Sequence, residues 1–447
     1  MNGAALSPLW AAPFAGIVLS IALIPATAPG FWHRHFGKTT AFWVAAFLVP
    51  FTLDYGPSAA GHELVHTMLA EYIPFIVLLF ALFTVSGGIH VRGNLHGSAS
   101  LNTRLLALGT LLASAMGTTG AAMLLIRPLL RANDHRRHRA HVVVFFIFLV
   151  ANVGGALTPL GDPPLFLGFL NGVDFFWTTR AMLLPTLTAS GILLVLFYVI
   201  DRWFWRRETE ERPVARHPTP DRPLAVDGKI NFVLLAGIVA LVLVSGLWKP
   251  DRSVVIYGTA IRLSNVVRDA GLLAIAWASL RLTPARIHRA NRFDFGPIVE
   301  VAKLFAGIFV TITPAIAMLR AGSDGVLAPL IALMTRADGT PHDALYFWMT
   351  GALSSFLDNA PTYLVFFNLA GGDAAQLTGP LASTLVALSA GAVFMGANTY
   401  IGNAPNFMVK SIAEARGVRM PSFAGYLGWS LLVLVPIYAL LTLLFFV

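Results

Sequence analysis

There is no cysteine anywhere in the 447 residues. That absence excludes a disulfide framework, a thiol nucleophile and any Cys-ligated metal centre. Charge is the second shortage. Asp, Glu, Lys and Arg make up 12% of the chain, half of the roughly 25% found in an ordinary soluble domain. A basic leader is missing as well, because the opening MNGAALSPLW carries no Lys or Arg. The first apolar segment therefore reads as a retained helix, although Ala26-Thr27-Ala28 has the small residues of a cleavage site.

What fills the space is apolar sequence, 56% of the chain. Stretches such as Leu9–Ala28, Ile73–Val91 and Ala424–Val447 reach the roughly 20 residues that cross a bilayer. The expected fold class is an all-α polytopic membrane protein of about ten spans plus two re-entrant hairpins. The expected spans are 8–28, 40–56, 72–91, 142–172, 180–201, 230–248, 267–282, 296–320, 376–416 and 424–447. Two further apolar stretches, 100–130 and 343–370, are broken near their centres by SAMGTTGAA (Ser114–Ala122) and SSFLDNAPT (Ser354–Thr362).

The net charge of +9 does not point to nucleic acid, because the basic residues sit in short clusters between apolar segments. If both broken stretches are hairpins that enter and leave on one side, those clusters share one face. They are Arg34/Lys38, Arg92/Arg104, Arg131/Arg136/Arg137/Arg139, 202–229, Arg281–Arg292 and Lys410–Arg419. The positive-inside rule makes that face cytoplasmic and both termini external, in a bacterial-type inner membrane. Arg127, just after the first hairpin, is expected to snorkel to that surface. The stretch 202–229, rich in Pro, Arg and Glu, reads as a mobile basic linker.

That linker divides the chain into two related parts, 1–201 and 230–447. The first holds the hairpin 100–130 and an interrupted helix at 142–172. The second holds the hairpin 343–370 and an interrupted helix at 376–416. Ser114-Ala-Met-Gly-Thr-Thr-Gly aligns with Ser355-Phe-Leu-Asp-Asn-Ala-Pro at an offset of 241 residues, and GALTPLGDPPLF (Gly155–Phe166) aligns with GANTYIGNAPNF (Gly396–Phe407) at the same offset. With this topology the parts face opposite ways, and such inverted repeats are a signature of secondary transporters.

Helices broken at mid-depth persist only where protein or a cavity surrounds them. Their freed N–H and C=O ends, paired across a pseudo-two-fold axis, can form one midplane site. Thr118, Thr119, Asn152, Thr158, Asn359, Asn398, Thr399 and Asn403 are the expected oxygen donors, with Asp162 and Asp358 as the charged members and sodium the expected metal. Asp162 and Asn403 are matched across the halves, and each stands where a helix restarts. Two readings stay open for them: a cap for the restarted helix, or a part of the site. Asp358 has no acidic counterpart, since Gly117 stands at its matched position. It reads either as a cap or as a carboxyl that exchanges a proton for a cation. No cofactor is expected beyond transported or coupling sodium and protons.

One enzyme-like motif competes. His62-Glu63-Leu64-Val65-His66 spells the HExxH of zinc peptidases, with Glu71 the nearest further ligand. Its place at the start of a span favours a polar interfacial helix, and the expectation is that the chain is not an enzyme.

At NVGGALTPLGDPP (Asn152–Pro164), SSFLDNAPT and ANTYIGNAPN (Ala397–Asn406) the chain resembles the ion transporter superfamily. That group includes NhaD-type sodium/proton antiporters, arsenite permeases and citrate or dicarboxylate transporters, and the nearest resemblance is to antiporters and CitMHS-like citrate carriers. The resemblance implies a homodimer in the bilayer and elevator-type alternating access. Dicarboxylate-carrying relatives have Ser-Asn-Thr at their hairpin tips, whereas these tips read Gly117-Thr118-Thr119 and Asp358-Asn359-Ala360. An acidic tip would repel a free carboxylate. The expectation is therefore sodium (or lithium)/proton antiport with Asp358 exchanging, ahead of cation-coupled citrate or carboxylate transport and, remotely, a membrane metalloprotease.

Overall fold

The structure is a computed structural model, and it describes residues 1–93, 95–211, 225–248 and 250–447. It is 77% helical. In chain order the helices begin with α1 (Ala12–Thr27), α2 (Pro29–Tyr55), α3 (Pro57–His66) and α4 (Ile73–Gly87). A single π-helical turn, Thr67–Tyr72, joins α3 to α4. A short strand, β1 (His90–Arg92), precedes α5 (Ala99–Met116) and α6 (Thr118–Ala132). Then come α7 (Ala140–Leu149), α8 (Pro163–Leu170), α9 (Phe175–Glu211), β2 (Ala225–Asp227) and α10 (Ile230–Leu247). A β3–β4 hairpin (Ser253–Ile256, Thr259–Arg262) leads into α11 (Leu263–Leu282), α12 (Ala285–Asn291), α13 (Gly296–Arg320) and α14 (Ala328–Leu333). The chain closes with α15 (Asp343–Ser354), α16 (Asn359–Leu369), α17 (Ala374–Thr378), α18 (Ala382–Met395), α19 (Ala404–Glu414) and α20 (Phe423–Phe445).

Among the described residues, eight of the ten expected spans are helices long and apolar enough to cross a membrane. The two others have physical reasons to fall short. α11 carries Arg268 and Asp269, joined by an Nε–Oδ1 bond of 2.8 Å. The second interrupted span is a shorter apolar helix, Ala382–Asn398. Burial separates centre from periphery. The stretch Ala140–Leu157 is 89% buried, against 17% for the α2 span and 22% for α10. The first interrupted helix thus runs through the middle of the molecule, while α2 and α10 present apolar side chains outward.

Both expected hairpins are present as helix pairs, α5–α6 and α15–α16, and both interrupted helices as α7–α8 and α18–α19. The linker is shorter than its composition implies. α9 continues to Glu211, ten residues beyond the expected boundary at 201, and Ala225–Asp227 pairs antiparallel with His90–Arg92. The cause lies in buried charge. Asp201 takes bonds from Arg136 Nη1, from His141 Nε2 at 2.8 Å and from Asn102 Nδ2 at 2.9 Å, and Glu208 accepts from Arg136 Nε at 3.3 Å. Phe204 stacks on His141 at 4.5 Å. These partners anchor the last turns of α9. Residues 212–224 of the expected linker lie outside the described residues.

Candidate functional site

The hairpin tips are tied to the interrupted helices by the same bonds in both halves. α5 stops at Met116 and α6 restarts at Thr118, and the turn between them is Gly117 at φ +81°, a conformation L side chains avoid. Ser114 Oγ donates to the Gly154 carbonyl, and Thr158 Oγ1 donates to that of Ser114, each at 2.5 Å. In the second half Ser355 Oγ donates to the Met395 carbonyl at 3.2 Å, and Thr399 Oγ1 to that of Ser355 at 2.5 Å. Each residue of the second set stands 241 positions after its counterpart. Glycine pairs recur at the same spacing. A Cβ on Gly402 would lie 2.6 Å from the Gly396 carbonyl oxygen, and one on Gly161 would collide with Gly155. Backbone crosses backbone at both breaks, and only glycine fits there.

Asp162 is 1% exposed and is the point where the pieces meet. Its Oδ1 accepts from Thr118 Oγ1 at 3.1 Å and from Asn403 Nδ2 at 3.3 Å, and its Oδ2 accepts from Asn359 Nδ2 at 2.7 Å. Those donors come from the first hairpin, the second interrupted helix and the second hairpin. Four acceptor sites with three filled from the side suit an ionised carboxylate. Asp162 makes no cap bond, and neither does Asn403. The reason is proline: Pro163 and Pro164 open α8 without N–H groups, and Pro405 removes a donor from the start of α19. With little left to cap, the two side chains turn to each other.

Asp358 has the role that the capping reading gave to Asp162. Its Oδ1 accepts from the Ala360 N–H at 3.1 Å, and its carbonyl accepts from Thr362 Oγ1 at 3.1 Å. It is half-buried and capped onto α16, the helix it starts.

A cavity of about 120 Å³ opens beside these groups. Of the expected site residues it is lined by Thr118, Thr119, Asp162, Asp358 and Asn403, and among the described residues no Lys, Arg or His is in its walls. α4 contributes Leu78 to Phe83, and α13 contributes Pro297 to Phe305. The other expected donors stand behind this wall. Asn359 reaches it only through Asp162. Asn152 donates to the Ile147 carbonyl and to Asn406 Oδ1, both at 2.8 Å, and Asn398 Nδ2 donates to Ser355 Oγ at 2.9 Å. Thr158 and Thr399 give their hydroxyls to the hairpin carbonyls of Ser114 and Ser355. Four residues absent from the expected set complete the network: Ser114, Ser354, Ser355 and Asn406. Ser354 Oγ donates to Asn359 Oδ1 at 2.8 Å, and Asn406 Nδ2 donates to the Gly396 and Thr399 carbonyls at 2.8 and 2.9 Å. All four stand inside the polar motifs of the sequence, so their signal was position.

α4 and α13 run antiparallel, and further along the pair the cavity is closed by four rings. Tyr72 lies 6.2 Å from Phe309, and Phe75 lies 4.9 Å from Phe305 and 5.6 Å from Phe309. Tyr72 Oη donates to the Ala302 carbonyl at 2.8 Å, which locks the first ring in place. Beyond this wall is a polar cavity of about 580 Å³ whose lining includes Glu63, His66, Glu71, Arg320 and Asp324. The HExxH letters border it. The His62 and His66 rings face each other at 6.4 Å, but among the described residues no group of three His, Asp or Glu side chains is placed to hold a metal ion.

Residues 3–446 match the profile of a family described as "Putative citrate transport". No curated protein matches the chain significantly.

Proposed function

Since the chain belongs to the family described as "Putative citrate transport", we propose that it is a secondary transporter carrying citrate as a complex with a metal cation, and that cation and proton compete for Asp162. The observation that carries this reading is the charge of the cavity. Two carboxylates line it and, among the described residues, no basic side chain does. A free tricarboxylate would meet repulsion there, whereas a citrate chelate presents its cation. Three donors hold Asp162 as an acceptor. Protonation takes the fourth acceptor site and removes the charge, which weakens the bonds from Thr118, Asn359 and Asn403 and loosens the hold on the hairpin tips.

We read the two halves as inverted repeats that move as an elevator. The hairpins and interrupted helices form the moving part, and α4 and α13 form part of the fixed wall. A homodimer in a bacterial-type inner membrane, with both termini external, completes the proposal. Family membership reverses the order of preference set by the sequence, where Asp358 and sodium/proton exchange came first. Sodium (or lithium)/proton antiport without an organic anion stays as the second reading, favoured by the small, apolar and anionic cavity.

Purified protein in liposomes with an internal pH dye and radiolabelled citrate outside tests both. Citrate accumulation that requires a cation, and falls at least about 100-fold in Asp162→Asn, supports the first reading. Interior alkalinisation on added sodium or lithium with no citrate uptake supports the second. Neither response would overturn both. Asp358→Asn is the control for charge alone, because Asn caps a helix as well as Asp.

A further inference from the structure

A second constellation lies beyond the cavity, on the face the charge distribution makes cytoplasmic. α6 and α19 pack side by side and lead away from the cavity. Gly120 of α6 and Met408 of α19 line the cavity, and Arg127 stands seven residues along α6 from Gly120, roughly 10 Å at the helical rise. Between them is a small apolar cluster of Phe83, Met123 and Ile298, against which Met408 and Phe293 pack. Past that cluster the Arg127 guanidinium feels those of Arg131, Arg292 and Arg416, and Arg131 also feels Arg416. Four cations from three parts of the chain are near enough there to act on one another's charge.

Their donors are not used up. Arg127 Nη1 and Arg131 Nε are buried without a hydrogen-bond partner among the described residues, although Arg131 Nη2 donates to the Val91 carbonyl at 2.6 Å. The neighbouring acids are engaged elsewhere. Asp134, whose charge acts on Arg131, pairs with Arg139 at 3.2 Å, and Glu414 pairs with Lys410 at 2.9 Å. Buried guanidinium donors without acceptors, in a cluster of like charge, are costly unless an anion completes them. Planar Arg forks suit carboxylate and phosphate oxygens.

The structure assigns to Arg127, Arg131, Arg292 and Arg416 a binding site for a multivalent oxyanion, separated from the cavity by the Phe83–Met123–Ile298 cluster. Cavity and cluster divide the work: the cavity, lined by carboxylates, takes a cation, and the arginines take the anion once the two separate. The inference rests on the citrate reading only for its choice of anion. A lipid headgroup phosphate offers the same chemistry, and the test separates the two sources.

The measurement is equilibrium dialysis of radiolabelled citrate in cation-stripped buffer against the full chain in neutral phosphatidylcholine nanodiscs. Binding should weaken at least about tenfold in Arg127→Gln, and equally in the exposed pair Arg292→Gln/Arg416→Gln, where folding is not at stake. It should also weaken as salt rises. Binding without added cation is read without transport, so the site can be judged even if the transport reading fails. In parallel, native mass spectrometry follows phosphatidylglycerol retained by protein from anionic nanodiscs. Loss of citrate or of phosphatidylglycerol in the arginine variants supports the oxyanion site and identifies its occupant. Unchanged binding of both would overturn it.

Discussion

Asp162 and Asp358 carry the same functional group and live in different chemistry, and the residues next to each in the chain make the difference. Asp358 precedes Asn359 and Ala360, whose N–H groups exist to be capped, and it accepts from the second. Asp162 precedes two prolines and is left free for Thr118, Asn359 and Asn403. The positions of both were legible from the repeat offset. Their roles were not, because the donors to Asp162 lie 44 to 241 residues away in sequence. Thr158 and Thr399 mark the same limit: as hydroxyls in a polar motif they read as site oxygens, yet each closes a hairpin tip. Thr158→Val and Thr399→Val should each destabilise the fold by about 1 kcal/mol and by similar amounts, with ligand affinity unchanged. Thermal unfolding beside binding checks this, and a change in affinity without a change in stability would return the two hydroxyls to the site.

At the scale of elements, the hairpins, the interrupted helices and most spans could be read from apolar length and from punctuation by Gly, Pro and Asp. The end of α9 could not. Composition marks 202–229 as linker, but Trp203-Phe204-Trp205 supplies an apolar face, and the partners of Asp201 and Glu208 sit in a loop some seventy residues earlier. The Arg136 and Asp201 side chains are fully buried. Asp201→Asn would leave the Arg136 charge without its main partner, at a cost of about 3–5 kcal/mol. Replacing both in Arg136→Met/Asp201→Leu should recover much of that loss, since it removes both buried charges together. A thermal-shift series on the three proteins decides the point: if the double variant is no more stable than Asp201→Asn, the pair does more than neutralise itself.

At the scale of the molecule, two cavities flank one aromatic wall between antiparallel helices, and the chain contains no cysteine to complicate labelling. Membrane-impermeant thiol reagents should therefore modify Glu71→Cys from one side of reconstituted vesicles and Thr119→Cys from the other. Labelling of both from the same side would show that the wall does not separate two aqueous compartments. The bonds at the two hairpin tips repeat in detail, but the cavities do not, since Gly117 faces Asp358 across the pseudo-symmetry. That asymmetry was visible in the sequence. The wall was not, because four aromatic residues scattered over 72–309 share no motif and meet only when α4 folds against α13.

The thinness of that wall has an electrical meaning. Across an unbroken bilayer the potential falls over about 30 Å of hydrocarbon, so a charge must travel far to do much work. Once water fills the cavity on each side, both carry the potential of their own solution almost to the rings of Tyr72, Phe75, Phe305 and Phe309. The whole voltage then drops across one aromatic layer. A charge that moves past those rings crosses the entire field, worth about 2.3 kcal/mol per elementary charge at 100 mV. Under the proposed elevator, the short displacement of a loaded hairpin would do the electrical work of a full crossing.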